Sequence, residues 1–147
     1  MVDFMNHISK AIELDGADVV RIFPAESRVL LNYADRVASE VVGEYITPLL
    51  SHARAISNEA FLKATAASFE QAWRIVDALL VVSKPADPDM PPVITTTQAE
   101  DVVYRMFEVN MDEYLDEEVE CVKVAFDSIC REWDRTVCLF FCLAFSH

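Results

Sequence analysis

The sequence predicts an all-α protein: an antiparallel bundle of three long amphipathic helices preceded by short N-terminal helices. Three observations carry the prediction. Among 147 residues only Gly16 and Gly43 are glycine, whereas a β-sandwich or a phosphate-binding α/β fold of this size needs many more for its turns. Apolar residues make up 53% of the chain, and they recur three or four apart, the spacing of one helical face. Four of the six prolines fall between Lys84 and Thr95, which leaves long stretches on either side able to stay helical. The length fits one domain, residues 1–147, with a real core.

Residues 1–24 read as short helices. Val2, Met5, Ile8 and Ile12 are spaced for a helix over Met1 to Leu14, and Gly16 supplies a C-terminal stop. Asp18 to Phe23 forms a second short helix, ended at Phe23-Pro24 because a residue before proline is pushed out of the α region.

Residues 25–83 read as a helical hairpin. Its first arm runs from Ala25 to Ile56, with Leu30, Tyr33, Val37, Val41, Tyr45 and Leu49 as the buried stripe. Gly43 and Pro48 weaken its hydrogen-bond ladder, so a bend is expected around Tyr45 to Pro48, with two helices meeting there as the alternative. Ser57 and Asn58 start the second arm, since a small polar side chain there accepts from the first unpaired amides and Glu59 suits the positive helix end. Phe61, Thr65, Phe69, Ala72, Val76 and Leu79 make its stripe, and a connection of a few residues implies antiparallel packing.

Residues 84–95 form a proline-rich loop, and a long acidic helix occupies 96–136. Thr95 to Thr97 followed by Gln98 and Glu100 is the capping-box pattern. Phe107, Met111, Leu115, Val119, Val122, Phe126, Ile129 and Trp133 share one face, with Asp112 to Asp116 as the place for a break if there is one. The tail 137–147, VCLFFCLAFSH, is apolar but too short for a bilayer, which needs roughly twenty residues. It either packs into the bundle or is an end whose covering partner is missing, and it offers a route to self-association.

The composition excludes several functions. A net charge of −13 disfavours nucleic-acid and anionic-membrane binding, which rest on clustered Lys and Arg, and makes basic proteins the default partners. Met1 to Leu14 has no continuous apolar run, so no secretory signal is read there. Cys121, Cys130, Cys138 and Cys142 all lie on one helix and its tail and read as reduced thiols. Cys138 and Cys142 share a helical face, yet zinc needs two further nitrogen or sulfur ligands, and His7, His52 and His147 stand on separate segments. No glycine-rich turn, GxSxG or GKS/T pattern is present to build an oxyanion or phosphate site. Neither an enzyme nor a cofactor is expected. The aromatic residues Tyr33, Tyr45, Phe69, Trp73, Phe107, Phe126 and Trp133 read as core.

One charged feature stands out. Asp112, Glu113, Asp116, Glu117 and Glu120 fall on one side of the last helix, away from Leu115, Val119 and Val122. A solvated face is the plain reading. A docking patch for a basic partner is the sharper one, acting chiefly on association rate.

At Ile22-Phe23-Pro24, RVASEVVGEYITPLL from Arg36 to Leu50, and AFLKATAASFEQAW from Ala60 to Trp73, the chain resembles the fungal recyclins and the related tenth Sec subunit of the exocyst. The resemblance covers about Val19 to Arg135. It implies a segment of a helical rod, a role in holding vesicles near target membranes in exocytosis or endosomal recycling, and contacts with other tethering-complex subunits and Rab-type GTPases. It also implies a cytoplasmic location, peripheral to vesicle or endosomal membranes. The F-box and prenylation signal of recyclins do not carry over: Met1 to Leu14 is too short for the first, and Phe145-Ser146-His147 is not the second. The competing expectation is a stand-alone bundle that binds a small apolar ligand or acts as a regulatory or effector module, with an enclosed pocket between helices. A rod segment should instead expose an apolar strip.

Overall fold

The computed structural model describes residues 1–85, 89 and 91–144, without the side chains of Asp112 and of residues 138–144. Helices account for nearly all of it: α1 (Val2–Ile22), a 3₁₀ turn (Ala25–Ser27), α2 (Val29–Arg36), a π-helical turn (Val37–Val42), α3 (Gly43–Ile56), α4 (Asn58–Ala72), α5 (Arg74–Ser83) and α6 (Thr96–Ala144). Two compact units divide the chain, Met1–Met111 and Asp112–His147, where the sequence reading placed one domain.

The N-terminal segment is one helix rather than two. Gly16 does not stop α1 but lies buried inside it, and no glycine has a positive φ. A methyl group at Gly16 would stand 3.1 Å from Val82 Cγ1 and 3.2 Å from Leu30 Cδ1, so the glycine lets α1 lie close against its neighbours. The packing gained there outweighs the helix propensity lost, roughly 1 kcal/mol relative to alanine. Met5 and Ile12 are fully buried on the same face, and α1 packs chiefly on α5 and also meets α2 and α4.

After the break at Phe23-Pro24 the main helix begins later than the periodicity suggests. Ala25–Ser27 make a 3₁₀ turn, Ser27 Oγ donates to the Pro24 carbonyl at 2.6 Å, and Arg28 adopts the left-handed conformation (φ 53°) before α2 starts at Val29. From there to Ile56 the buried residues are Leu30, Ala34, Ala38, Val42, Ile46, Leu50 and Ala53, four apart as far as Leu50. This corrects the predicted stripe, of which Val41, Tyr45 and Leu49 are exposed. The offset begins in α2, where Ala34 rather than Tyr33 is buried, and the π turn at Val37–Val42, with its longer i→i+5 period, lets the four-residue spacing continue into α3. The helix is unbroken at Pro48, and its irregularity lies upstream at Val37–Val42. Pro48 and Glu44 are both exposed, so the carbonyl that proline leaves without its usual donor sits on the solvent side.

Ser57 alone joins α3 to α4, which pack on each other. Its hydroxyl accepts from Ala60 N–H at 3.0 Å, the cap expected of it. The second arm is interrupted once, at Trp73, where α4 passes into α5. Phe61, Thr65, Ser68 and Ala72 point inward from α4, and Ile75, Val76, Ala78 and Leu79 from α5.

In the proline-rich segment, residues 86–88 and 90 lie outside the described residues. Its far end is anchored. Val93 N–H donates to the Ser83 carbonyl at 3.1 Å, and Ile94 is buried in the core. The capping box forms as predicted: Thr95 N–H donates to Gln98 Oε1 at 3.0 Å, and Thr95 Oγ1 accepts from Gln98 N–H at 3.3 Å. The first part of α6 then completes the core of the first unit with Ala99, Val102, Val103 and Phe107. Arg105 pairs with Asp35 at 2.9 Å, and Tyr104 and Phe107 stand with Phe69 and Trp73 in an aromatic group whose ring centroids are 5.3–5.9 Å apart. The α6 backbone is helical through Ala144 without a break at Asp112 to Asp116. How the side chains of the 137–147 tail pack, and whether copies associate through them, falls outside the described residues apart from Val137, which is half-buried.

Candidate partner-docking surface

The second unit is, among its described residues, the remainder of α6. At about 100° per residue, Asp112, Glu113, Asp116, Glu117 and Glu120 span an arc of roughly 140°. Glu113, Asp116 and Glu120 are exposed, Glu117 is half-buried, and the Asp112 side chain lies outside the described set. Lys123 Nζ stands 3.8 Å from Glu120 Oε2, with both side chains well exposed, so water screens the pair and it adds little rigidity.

Leu115, Val119, Val122, Phe126, Ile129 and Trp133, expected on one face of the helix, are exposed, from 50% at Leu115 to 70% at Trp133. The aromatic expectation therefore holds for Tyr33, Phe69, Trp73 and Phe107, which lie in or against the core, but fails for Tyr45, Phe126 and Trp133. The physical reason is that periodicity shows which face of a helix is apolar, not whether anything lies against it. Among the described residues of the second unit no other element is present to cover the stripe. In the sequence, 115, 119, 122, 126, 129 and 133 alternate four and three, a stricter repeat than that of the helices in the first unit, which marks the face and not its exposure.

The other residues weighed for chemistry do not come together. Cys121 is half-buried, Cys130 is exposed, and both are free thiols; the side chains of Cys138 and Cys142, and His147, lie outside the described residues. His7 Nδ1 donates to the Asp3 carbonyl within its own helix at 2.6 Å. Among the described residues no three His, Cys, Asp or Glu side chains form a group that could hold a metal ion. Between the end of α1, the 3₁₀ turn and Ile94 there is a cavity of about 20 Å³, lined by Val19, Phe23, Leu30 and Gln98 among others. That is room for about one water molecule, far below the several hundred Å³ of a ligand site. No helix among the described residues is long and apolar enough to cross a membrane.

A bundle without strands among the described residues, followed by a helix with an acidic face and an exposed apolar stripe, defines an all-α helical-bundle protein. The chain belongs to the Sec10-like alpha-helical bundle family of exocyst complex components, whose family model matches residues 1–138. No curated relative and no solved structure matches it significantly.

Proposed function

We propose that the chain is a non-enzymatic tethering scaffold of the exocyst type, working through protein–protein contacts made by α6. The observation that carries this reading is the exposed acidic and apolar surface of residues 113–133 on a member of the Sec10-like family. The first unit supplies a rigid base, and Asp112, Glu113, Asp116, Glu117 and Glu120 supply the electrostatic approach. Other tethering-complex subunits are the leading partners, and Rab-type GTPases are the second class. The work is done on the cytoplasmic side, at the periphery of vesicle or endosomal membranes, in vesicle docking, exocytosis or recycling.

Charge reversal tests the acidic face directly. Glu113→Lys, Asp116→Lys and Glu120→Lys together should slow association with purified exocyst-type subunits about tenfold at low ionic strength, with the difference shrinking as salt rises. Surface plasmon resonance at several salt concentrations reads both rates. Equal association rates for the variant and the parent chain would show that the face is only a solvated surface.

A further inference from the structure

The exposed stripe of α6 has the spacing of one strand of a coiled coil. Leu115, Val119, Val122, Phe126, Ile129 and Trp133 follow one another by four, three, four, three and four residues. That is the heptad repeat that keeps an apolar seam facing a single partner helix along its whole length. All six are at least half exposed. Beside the seam, the flanking positions hold Asp116, Lys123 and Cys130 on one side and Glu118, Ala125 and Glu132 on the other. These are the positions from which charges choose a partner.

A second copy of the chain matches the seam but not the charge. In an antiparallel pair centred on Val124 the layers fit, Leu115 on Trp133, Val119 on Ile129 and Val122 on Phe126. Glu118 would then stand beside Glu132, and Lys123 beside Lys123 of the other copy. In a parallel pair Glu118 meets Lys123, but two identical segments, each with nine acidic residues against three basic ones between 112 and 135, are brought together. Like charges at close range oppose both arrangements.

From this we infer that α6 receives an amphipathic helix of another protein, one with an apolar heptad seam flanked by Lys and Arg. Such a helix covers the stripe and neutralises Asp116, Glu118 and Glu132 in the same act. The inference rests on the docking role proposed above and narrows it to a class of partner.

Synthetic helical peptides of about three heptads test it against the full chain by fluorescence anisotropy. One carries Leu and Ile in the seam with Lys at the flanking positions, a second has Glu at the flanking positions, and a third scrambles the first. The Lys-flanked peptide should bind at least tenfold more tightly than either of the others. Phe126→Ser with Ile129→Ser should weaken it at least tenfold while leaving the circular dichroism spectrum and Tm of the chain in place, since both residues are solvent-exposed. Equal binding of the scrambled peptide, or no effect of the double substitution, would overturn the inference by showing attraction to bulk negative charge alone. So would a dimer seen by sedimentation that the double substitution dissolves, because a second copy would then occupy the seam. Capture of exocyst-type subunits is assayed separately: its absence beside the expected peptide result sinks the tethering role and leaves the partner class standing.

Discussion

Tyr33 ties α2 to α1 through one hydrogen bond, its hydroxyl donating to Asp15 Oδ2 at 3.0 Å. Burial, then the hydrogen bond and the negative charge of Asp15, push the phenol up to about 12 from an ordinary 10. The protonated phenol is the form the fold favours. Its contribution is therefore complete below pH 10 and lost as pH rises from 10 through about 12. In urea titrations across that range, Tyr33→Phe should lose less stability than the parent chain. Arg28 makes a second residue-level prediction. It holds the left-handed conformation, which costs a non-glycine residue roughly 1 kcal/mol. Arg28→Gly should be neutral or stabilising by up to about 1 kcal/mol, and Arg28→Val destabilising by about as much or more, both read from denaturation midpoints. At this scale the sequence was legible where the signal was local: the Ser57 cap and the Thr95–Gln98 box each join residues only three apart, within about one turn of chain. Nothing in the letters around Arg28 marks a left-handed residue, because the exit angle from Pro24 is set by where α1 and α2 pack.

Among the elements, Gly16 and the π turn show where tertiary structure overrode the local pattern. Gly16 reads as a stop because glycine is a good C-cap, yet it serves as a contact point beneath Val82 and Leu30. Gly16→Val should destabilise the chain by about 1–3 kcal/mol, since two methyl groups would press on side chains already 3.1–3.2 Å from the first added carbon. Differential scanning fluorimetry would register this as a clear fall in Tm. The inward face was predicted one residue early from Ala34 on, and the π turn, invisible to any method that assumes one period, carries that offset into α3. The apolar character of that arm was right, and its phase was not. The all-helical character and a helix starting at the Thr95 box were legible because composition and capping residues are insensitive to such shifts. The exposure of the α6 stripe was not legible, because a helix buried by a neighbour and a helix waiting for one carry the same letters.

The whole molecule combines two kinds of stability. In Met1–Met111 the helices share a core that includes Met5, Ile12, Val42, Ile75, Leu79, Val103 and Phe107. Beyond Met111 the described helix has its own backbone hydrogen bonds and exposed side chains. The acidic face and the exposed stripe both lie in that second unit, the part proposed above to meet other proteins. Helices without tertiary packing are marginal in water, and opening them needs little free energy. Backbone amides from 113 to 137 should therefore exchange with deuterium orders of magnitude faster than those of α1 and α5, as mass spectrometry can resolve peptide by peptide. A partner seated on the seam should slow exchange there and leave the core unchanged. The heptad stripe thus gives the proposed docking a kinetic side: α6 beyond Met111 would be held closed to solvent only while occupied, so the lifetime of the complex would set how long that part of the helix resists opening.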